Sequence, residues 1–228
     1  MQSAEIELKF PIADLAHLQS LLPGLGFLLD TPRTFEHNTL YDTPARALRE
    51  SRQLLRIRRY GDLWTLTHKR IPPQSPDSDP SATARYKVRI ETETQLSEGP
   101  ALGAIFEQLG YSPVFRYEKF RTEWSQVTSV IEGPLFTGLL LSGLPTPSPR
   151  CHLVIDETPI GDYAELEGPP AWIDETLAKL GVDPDTCLTQ SYGKLFLAWK
   201  GRTLSSAENL TFDEISAAAA DSLQPSLR

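Results

Sequence analysis

Glu5-Ile6-Glu7-Leu8-Lys9, close to the start of the chain, is the stretch on which the fold turns. Its side chains alternate, with Glu5, Glu7 and Lys9 on one side and Ile6, Leu8 and Phe10 on the other. Period two is the strand period, because successive side chains of an extended backbone point to opposite faces. The three charges therefore lie roughly 6.6 Å apart along one face. Two carboxylates followed by a lysine can place a divalent cation beside a phosphate. An ordinary antiparallel strand with one face in water has the same pattern, so the reading depends on whether other strands repeat it.

They do. A strand expected over 83–95 carries Arg85, Lys87, Arg89, Glu91 and Glu93 on one face and Tyr86, Val88 and Ile90 on the other. Expected strands at 53–60 and 63–70 join across Gly61-Asp62, a hairpin connection, and carry Arg56, Arg58 and Lys69. Lys119 and Arg121 share a face within 114–124. Segments 152–157 and 160–167 form a second hairpin over Thr158-Pro159, with Asp156 on the first and Tyr163, Glu165 and Glu167 on one face of the second. Residues 34–41 also alternate and end in Tyr41-Asp42-Thr43-Pro44, which can turn and cap a short helix at 45–50. Helical spacing marks 14–22, 98–109 (closed by Gly110), 172–180 (closed by Gly181), 189–199 and 215–220. A proline-rich loop at 71–81 and an aperiodic, Gly- and Pro-rich excursion at 126–149 complete the chain.

Eight strands joined mostly by short connections make an antiparallel α+β fold. Seven acids (Glu5, Glu7, Glu91, Glu93, Asp156, Glu165, Glu167) fall on the polar strand faces with eight bases (Lys9, Arg56, Arg58, Lys69, Lys87, Arg89, Lys119, Arg121). The opposite faces carry Ile, Leu, Val, Phe, Tyr and Trp. A sandwich would put the charged faces in water. The alternative is a closed eight-stranded β-barrel with a charged interior, its apolar outside covered by the amphipathic helices. Each buried charge costs several kcal/mol to desolvate, so that interior needs partners, which a charged ligand and its metal ions would supply. Glu91 and Glu93 read better as salt-bridge partners of the bases than as ligands, and Arg85 and Glu123 fit the rim as well as the tunnel.

Composition bounds the rest. The 228 residues suffice for one domain, read here as a tunnel over 1–200 and a helical tail over 201–228. The formal net charge of −8 argues against a nucleic-acid partner. Cys151 and Cys187 suggest no disulfide framework, the four histidines show no zinc spacing, and no apolar run is long enough for a bilayer. The chain opens on a charged strand rather than a leader, so a cytoplasmic location without membrane association is expected. Nothing indicates the oligomeric state.

Glu5-x-Glu7-x-Lys9 resembles the ExExK signature of the CYTH superfamily, the triphosphate tunnel metalloenzymes. The resemblance continues in order through Tyr41-Asp42-Thr43-Pro44, Leu54-Leu55-Arg56-Ile57-Arg58 and Leu66-Thr67-His68-Lys69. It then runs through Arg89-x-Glu91-x-Glu93, Lys119-x-Arg121, Asp156, Glu165-x-Glu167 and Ser191-Tyr192, covering about residues 2 to 200. That family includes thiamine triphosphatase, inorganic triphosphatase, fungal-type RNA triphosphatase and class IV adenylyl cyclases. The resemblance implies a tunnel that binds a small triphosphate with Mg²⁺ or Mn²⁺. It assigns Glu5, Glu7, Asp156, Glu165 and Glu167 to metal. Lys9, Arg56, Arg58, Lys69, Lys87, Arg89, Lys119, Arg121 and Lys194 would hold the substrate, with Glu5, Glu7 and Lys69 forming the catalytic set. A metal-activated water would attack the terminal phosphorus.

Two positions depart from the pattern. Leu54 stands where mammalian-type thiamine triphosphatases carry a tryptophan, so selectivity for thiamine does not follow from the resemblance. The excursion at 126–149 replaces a short hairpin connection. Hydrolysis of an inorganic or organic triphosphate is the leading expectation, ahead of an adenylyl cyclase and of a non-catalytic polyphosphate or nucleotide binder.

Overall fold

In the computed structural model, which describes residues 2–73, 85–127 and 150–222, eight antiparallel strands close on themselves. They are β1 (Gln2–Pro11), β2 (Leu28–Asp42), β3 (Leu54–Tyr60), β4 (Leu63–Arg70), β5 (Lys87–Leu96), β6 (Ser112–Val127), β7 (Arg150–Thr158) and β8 (Gly161–Glu167). Around the barrel the order is β1-β5-β4-β3-β2-β6-β7-β8, and β8 returns to β1. This is the closed eight-stranded barrel with flanking helices that the charge parity predicts.

Register explains the closure. Glu7 lies opposite Lys87 on β5 and Glu167 on β8, and Lys9 lies opposite Glu165. All are odd-numbered residues on one face, so Leu8 and Phe10 must point outward. Those two pack with Leu153, Ile155, Ala164 and Leu166 of β7 and β8 in an outer apolar layer. Covering it are Leu18 of helix α1 (Leu15–Leu21), Leu22 just beyond, and Trp172, Ile173 and Leu177 of a later helix, Pro170–Leu180.

The four-residue helix α2 (Ala47–Glu50) follows Tyr41-Asp42-Thr43-Pro44. The buried Asp42 carboxylate accepts the backbone N–H groups of Thr43, Leu48 and Arg49 at 2.7, 2.9 and 3.0 Å, so the motif anchors this turn. Helix α3 (Gly99–Gln108) buries its two glycines, Gly99 and Gly103. A Cβ at Gly99 would stand 2.0 Å from the Trp64 ring, and one at Gly103 would stand 2.7 Å from the Tyr41 hydroxyl. The helix therefore docks on β2 and β4 through bare backbone. Helices α4 (Pro170–Leu180), α5 (Tyr192–Thr203) and α6 (Phe212–Ser222) complete the shell. Leu195 and Phe196 of α5, Leu210, and Ile215 of α6 form a second apolar cluster with Tyr117 and Tyr192, so residues beyond 200 pack against the barrel end.

Strand β2 begins at Leu28, earlier than expected. Its ladder to β6 shifts register between Leu29 and Thr34, around Pro32, and Leu28 and Leu29 are exposed, so alternation is lost there. Helix α5 begins three residues later than expected, where Ser191 caps it by accepting the Lys194 N–H. The second hairpin turns on Pro159-Ile160, since Thr158 pairs with Gly161. Of the expected loop and excursion, 74–81 and 128–149 lie outside the described residues, as do 82–84, where the strand expected over 83–95 would begin; β5 itself runs from Lys87.

Replacing Gly99 by alanine drives a methyl group into the indole of Trp64. We expect a loss of about 1–3 kcal/mol of stability, measured by urea unfolding.

Candidate active site

The inner face encloses a cavity of about 450 Å³. Its electrostatics begin with one exception to a rule. On the inner face, opposed charges on neighbouring strands are of opposite sign at Glu7–Lys87, Glu5–Arg89, Lys9–Glu165, Lys69–Glu91, Glu36–Lys119 and Arg121–Asp156. Only Glu7 and Glu167 oppose like charges there among the described residues. With Glu5 they form a trio in which one carboxylate oxygen from each residue lies within 4.8 Å of the other two. Burial, then Glu5, Glu165 and Glu7, push the Glu167 carboxyl up to about 8, against the pull of Arg121. Lys69 Nζ is 2.6 Å from Glu5 and 3.1 Å from Glu91, and Lys87 pairs with Glu7. Burial would lower the Lys69 ammonium, but Glu5, with Glu91 and Glu7, outweighs it and raises it.

The other part of the cavity is basic. Arg121 grips Asp156 with two bonds of 2.7 Å and reaches Glu165 at 2.9 Å. Asp156 is fully buried and also accepts Lys119 at 2.8 Å and the Tyr192 hydroxyl at 2.6 Å. Lys9 pairs with Glu165 and sits 3.7 Å over the Tyr192 ring. Arg58 donates to Thr65 at 3.1 Å and to Glu93 at 3.2 Å, and Arg56 to Tyr117 and Thr67, each at 3.1 Å. Glu36 lies behind this group. Burial would raise its carboxyl, but Lys119, Arg121, Arg58 and Arg56 prevail and hold it well below the usual range.

The expected site residues thus fall into three sets. Glu5, Glu7, Lys9, Arg56, Arg58, Lys69, Lys87, Lys119, Arg121, Glu165 and Glu167 all line the cavity. Asp156 lies behind the lining, engaged by two bases and a tyrosine. Arg89 has the inward parity, opposite Glu5, but its guanidinium donates to the Val88 carbonyl at 2.7 Å and it does not line the cavity. Lys194 is exposed on α5, outside the lining. Of the five carboxylates assigned to metal, only Glu5, Glu7 and Glu167 come together, while Glu165 and Asp156 are taken up by bases. Glu91 and Glu93 pair with bases, Glu123 lines the cavity, and Arg85 is outside with Asp174. Sequence reasoning missed Glu36, Asn38 and Tyr117. Their signal was the even-numbered alternation Glu36-x-Asn38-x-Leu40 and the odd parity Tyr117-x-Lys119-x-Arg121.

The trio fits a divalent cation on the chemistry of its donors. These are hard carboxylate oxygens, converging and partly buried, one of them raised by its neighbours' charge. Bases stand beside them to receive an anion.

Residues 3–133 match the sequence profile of the family described as the CYTH domain. No curated protein matches the sequence. Among solved structures, a candidate adenylate cyclase from Vibrio parahaemolyticus is 16% identical with a TM-score of 0.59, covering 85% of this chain and 97% of that one. A protein from Pyrococcus horikoshii is 20% identical with a TM-score of 0.58, covering 86% of this chain and 99% of its own. A candidate adenylyl cyclase from Hippeastrum, described as having a dominant triphosphatase activity, is 16% identical with a TM-score of 0.53, covering 87% and 96%. At these identities the likeness establishes the fold.

Below about pH 8 a cation entering the trio must displace the Glu167 proton. Mn²⁺ titrated into the protein alone by calorimetry should therefore bind about tenfold more weakly for each pH unit below that value. Glu167→Gln should bind more weakly throughout and lose this pH dependence.

Proposed function

The chain belongs to the CYTH domain family, whose members are generally metal-dependent and bind triphosphates, and from that premise we propose that it is a Mg²⁺- or Mn²⁺-dependent triphosphatase preferring inorganic tripolyphosphate. The observation that carries this reading is the way the cavity's aromatic rings are used. Among the described residues, its phenolic rings are Tyr117 and Tyr192. Tyr117 stacks with Phe115 and with Tyr192, centroids 6.0 and 5.9 Å away, and Lys9 and Lys119 stand over the Tyr192 ring. Both phenolic rings already pack against other rings or ammonium groups, which argues against their serving as a stacking platform for a nucleobase or thiamine. Leu54 and Leu40 line the wall nearby. What the cavity offers is charge, in a volume at the lower end of the range for small ligands.

Phosphoryl transfer needs positioning and charge neutralisation more than covalent help from the protein. Glu5, Glu7 and Glu167 would hold the cation, which when bound supplies positive charge opposite the phosphate oxygens and acidifies a water for in-line attack. Arg56 and Arg58 present planar forks to non-bridging oxygens. Lys119, Arg121 and Lys9 neutralise the same chain of phosphates, each already oriented by Asp156 or Glu165. Lys69 and Lys87 pair with Glu5 and Glu7 at the trio, where their ammonium groups would meet the reacting phosphate. Together they orient the anion and leave the chemistry to a water. A cytoplasmic location is part of this proposal, and no described helix is long and apolar enough to cross a membrane.

The test is one panel of tripolyphosphate, ATP and thiamine triphosphate with Mg²⁺, following phosphate, pyrophosphate and cyclic AMP separately. Phosphate from tripolyphosphate should give the highest kcat/KM. Glu7→Gln should lower it by at least about a hundredfold while the fold persists. Cyclic AMP appearing in step with pyrophosphate would overturn the hydrolase reading, and no product from any of the three would leave a binder.

A further inference from the structure

Glu36 on β2 is fully buried and does not line the cavity, yet the bases around it do. Lys119 Nζ is 3.3 Å from its Oε1, and Arg121 and Arg58 each stand 3.9 Å from its Oε2. Asn38 Nδ2 donates to Oε1 at 2.8 Å, while Oε2 accepts no hydrogen bond among the described residues. Asp156, the other carboxylate behind the lining, is unlike it, since both of its oxygens accept hydrogen bonds from bases. Asp156 fixes the geometry of Lys119 and Arg121. Glu36 acts on the two arginines through charge.

We propose that Glu36 is a positioning residue that sets the strength of the basic cradle, a fixed counter-anion that weakens the hold of Lys119, Arg121 and Arg58 on phosphate. An anion in the cavity lies one layer of cations away from this carboxylate, in an interior where unit charges interact far more strongly than in water. Without Glu36 the same bases would hold substrate and product phosphates more tightly alike. Such uniform tightening lowers KM without lowering the chemical barrier, and it slows departure of the product. The carboxylate thus lets the cradle be strongly basic in geometry and moderate in affinity. This inference rests on the cavity being a polyphosphate site.

The experiment is a calorimetric titration of tripolyphosphate, and separately of inorganic phosphate, into metal-free protein in EDTA. Wild type is compared with the isosteric Glu36→Gln and the charge-retaining Glu36→Asp. Glu36→Gln should bind both anions about tenfold or more tightly, and Glu36→Asp should stay within about threefold of wild type. With Mg²⁺, kcat and KM for tripolyphosphate should both fall in Glu36→Gln, a split that a merely structural loss does not give. Unchanged or weaker binding by a folded Glu36→Gln protein would overturn the inference, as would equal tightening in Glu36→Asp. If Glu36→Gln does not fold alone, recovery in metal-free tripolyphosphate supports the role and failure to recover refutes it. A wild-type protein that binds no tripolyphosphate would instead remove the functional reading on which the inference rests.

Discussion

A charge enclosed by a sheet must find an opposite charge within a few ångströms, and in this barrel the ladder of strand pairing supplies it. Seven bases and seven carboxylates line one cavity. Taken singly, each would cost several kcal/mol to remove from water. Most have a partner of opposite sign directly across the next strand, so hydrogen-bond register and charge neutralisation are one arrangement. A slip of one residue in any strand would turn its charges out into the apolar layer and its apolar residues into the cavity. The register is therefore held from both sides, by ion pairs within and by Leu8, Phe10, Leu153 and Leu166 under helices without.

The same logic shows where function must be sought. A ladder that pairs opposite charges everywhere would be stable and inert. It departs from the rule on the inner face at Glu7 and Glu167, and Glu5 adds a third carboxylate to the same spot. Three negative groups kept together at a cost, two of them paired with lysines and the third facing Glu7, are what a cation site requires. The cost is visible in Glu167, whose carboxyl is pushed up to about 8 by burial and by the charge of Glu5.

Much of this was legible because the strand period is two and the charges keep it. Glu5, Glu7 and Lys9 give the inner face of β1, and Lys87, Glu91, Glu165 and Glu167 give those of its neighbours. Less legible was anything fixed by partners distant in sequence. Glu36 sits in a strand with no base on its own face, and only closure brings Lys119 and Arg121 to it. Glu165 and Asp156 carry carboxylates as the trio does, and only the folded barrel shows them engaged by Lys9, Lys119 and Arg121. Arg89 has the right parity, but its guanidinium turns back to the Val88 carbonyl, a choice of rotamer that no spacing reveals. Lys194 lies in the first turn of α5, whose start is set by the Ser191 cap rather than by hydrophobic period.

The distribution of lysine and arginine around the cavity follows from what each must do. At the trio the bases are lysines, compact point charges on flexible stems. Lys69 and Lys87 each sit on a carboxylate that a cation would also claim, so an incoming cation and these ammonium groups compete for the same oxygens. A lysine displaced in this way keeps its charge and needs only to rotate to meet an anion. In the basic part the forks of Arg121, Arg56 and Arg58 are each fixed by two or more hydrogen bonds, to Asp156, Tyr117, Thr67, Thr65 or Glu93. Planar groups held in this way are oriented before any ligand arrives, which lowers the entropy lost when a phosphate is bound. One part of the cavity is therefore built to exchange its partners and the other to hold its shape. An anion bridging the two would be gripped at its fixed end and reorganised at the end where the cation sits.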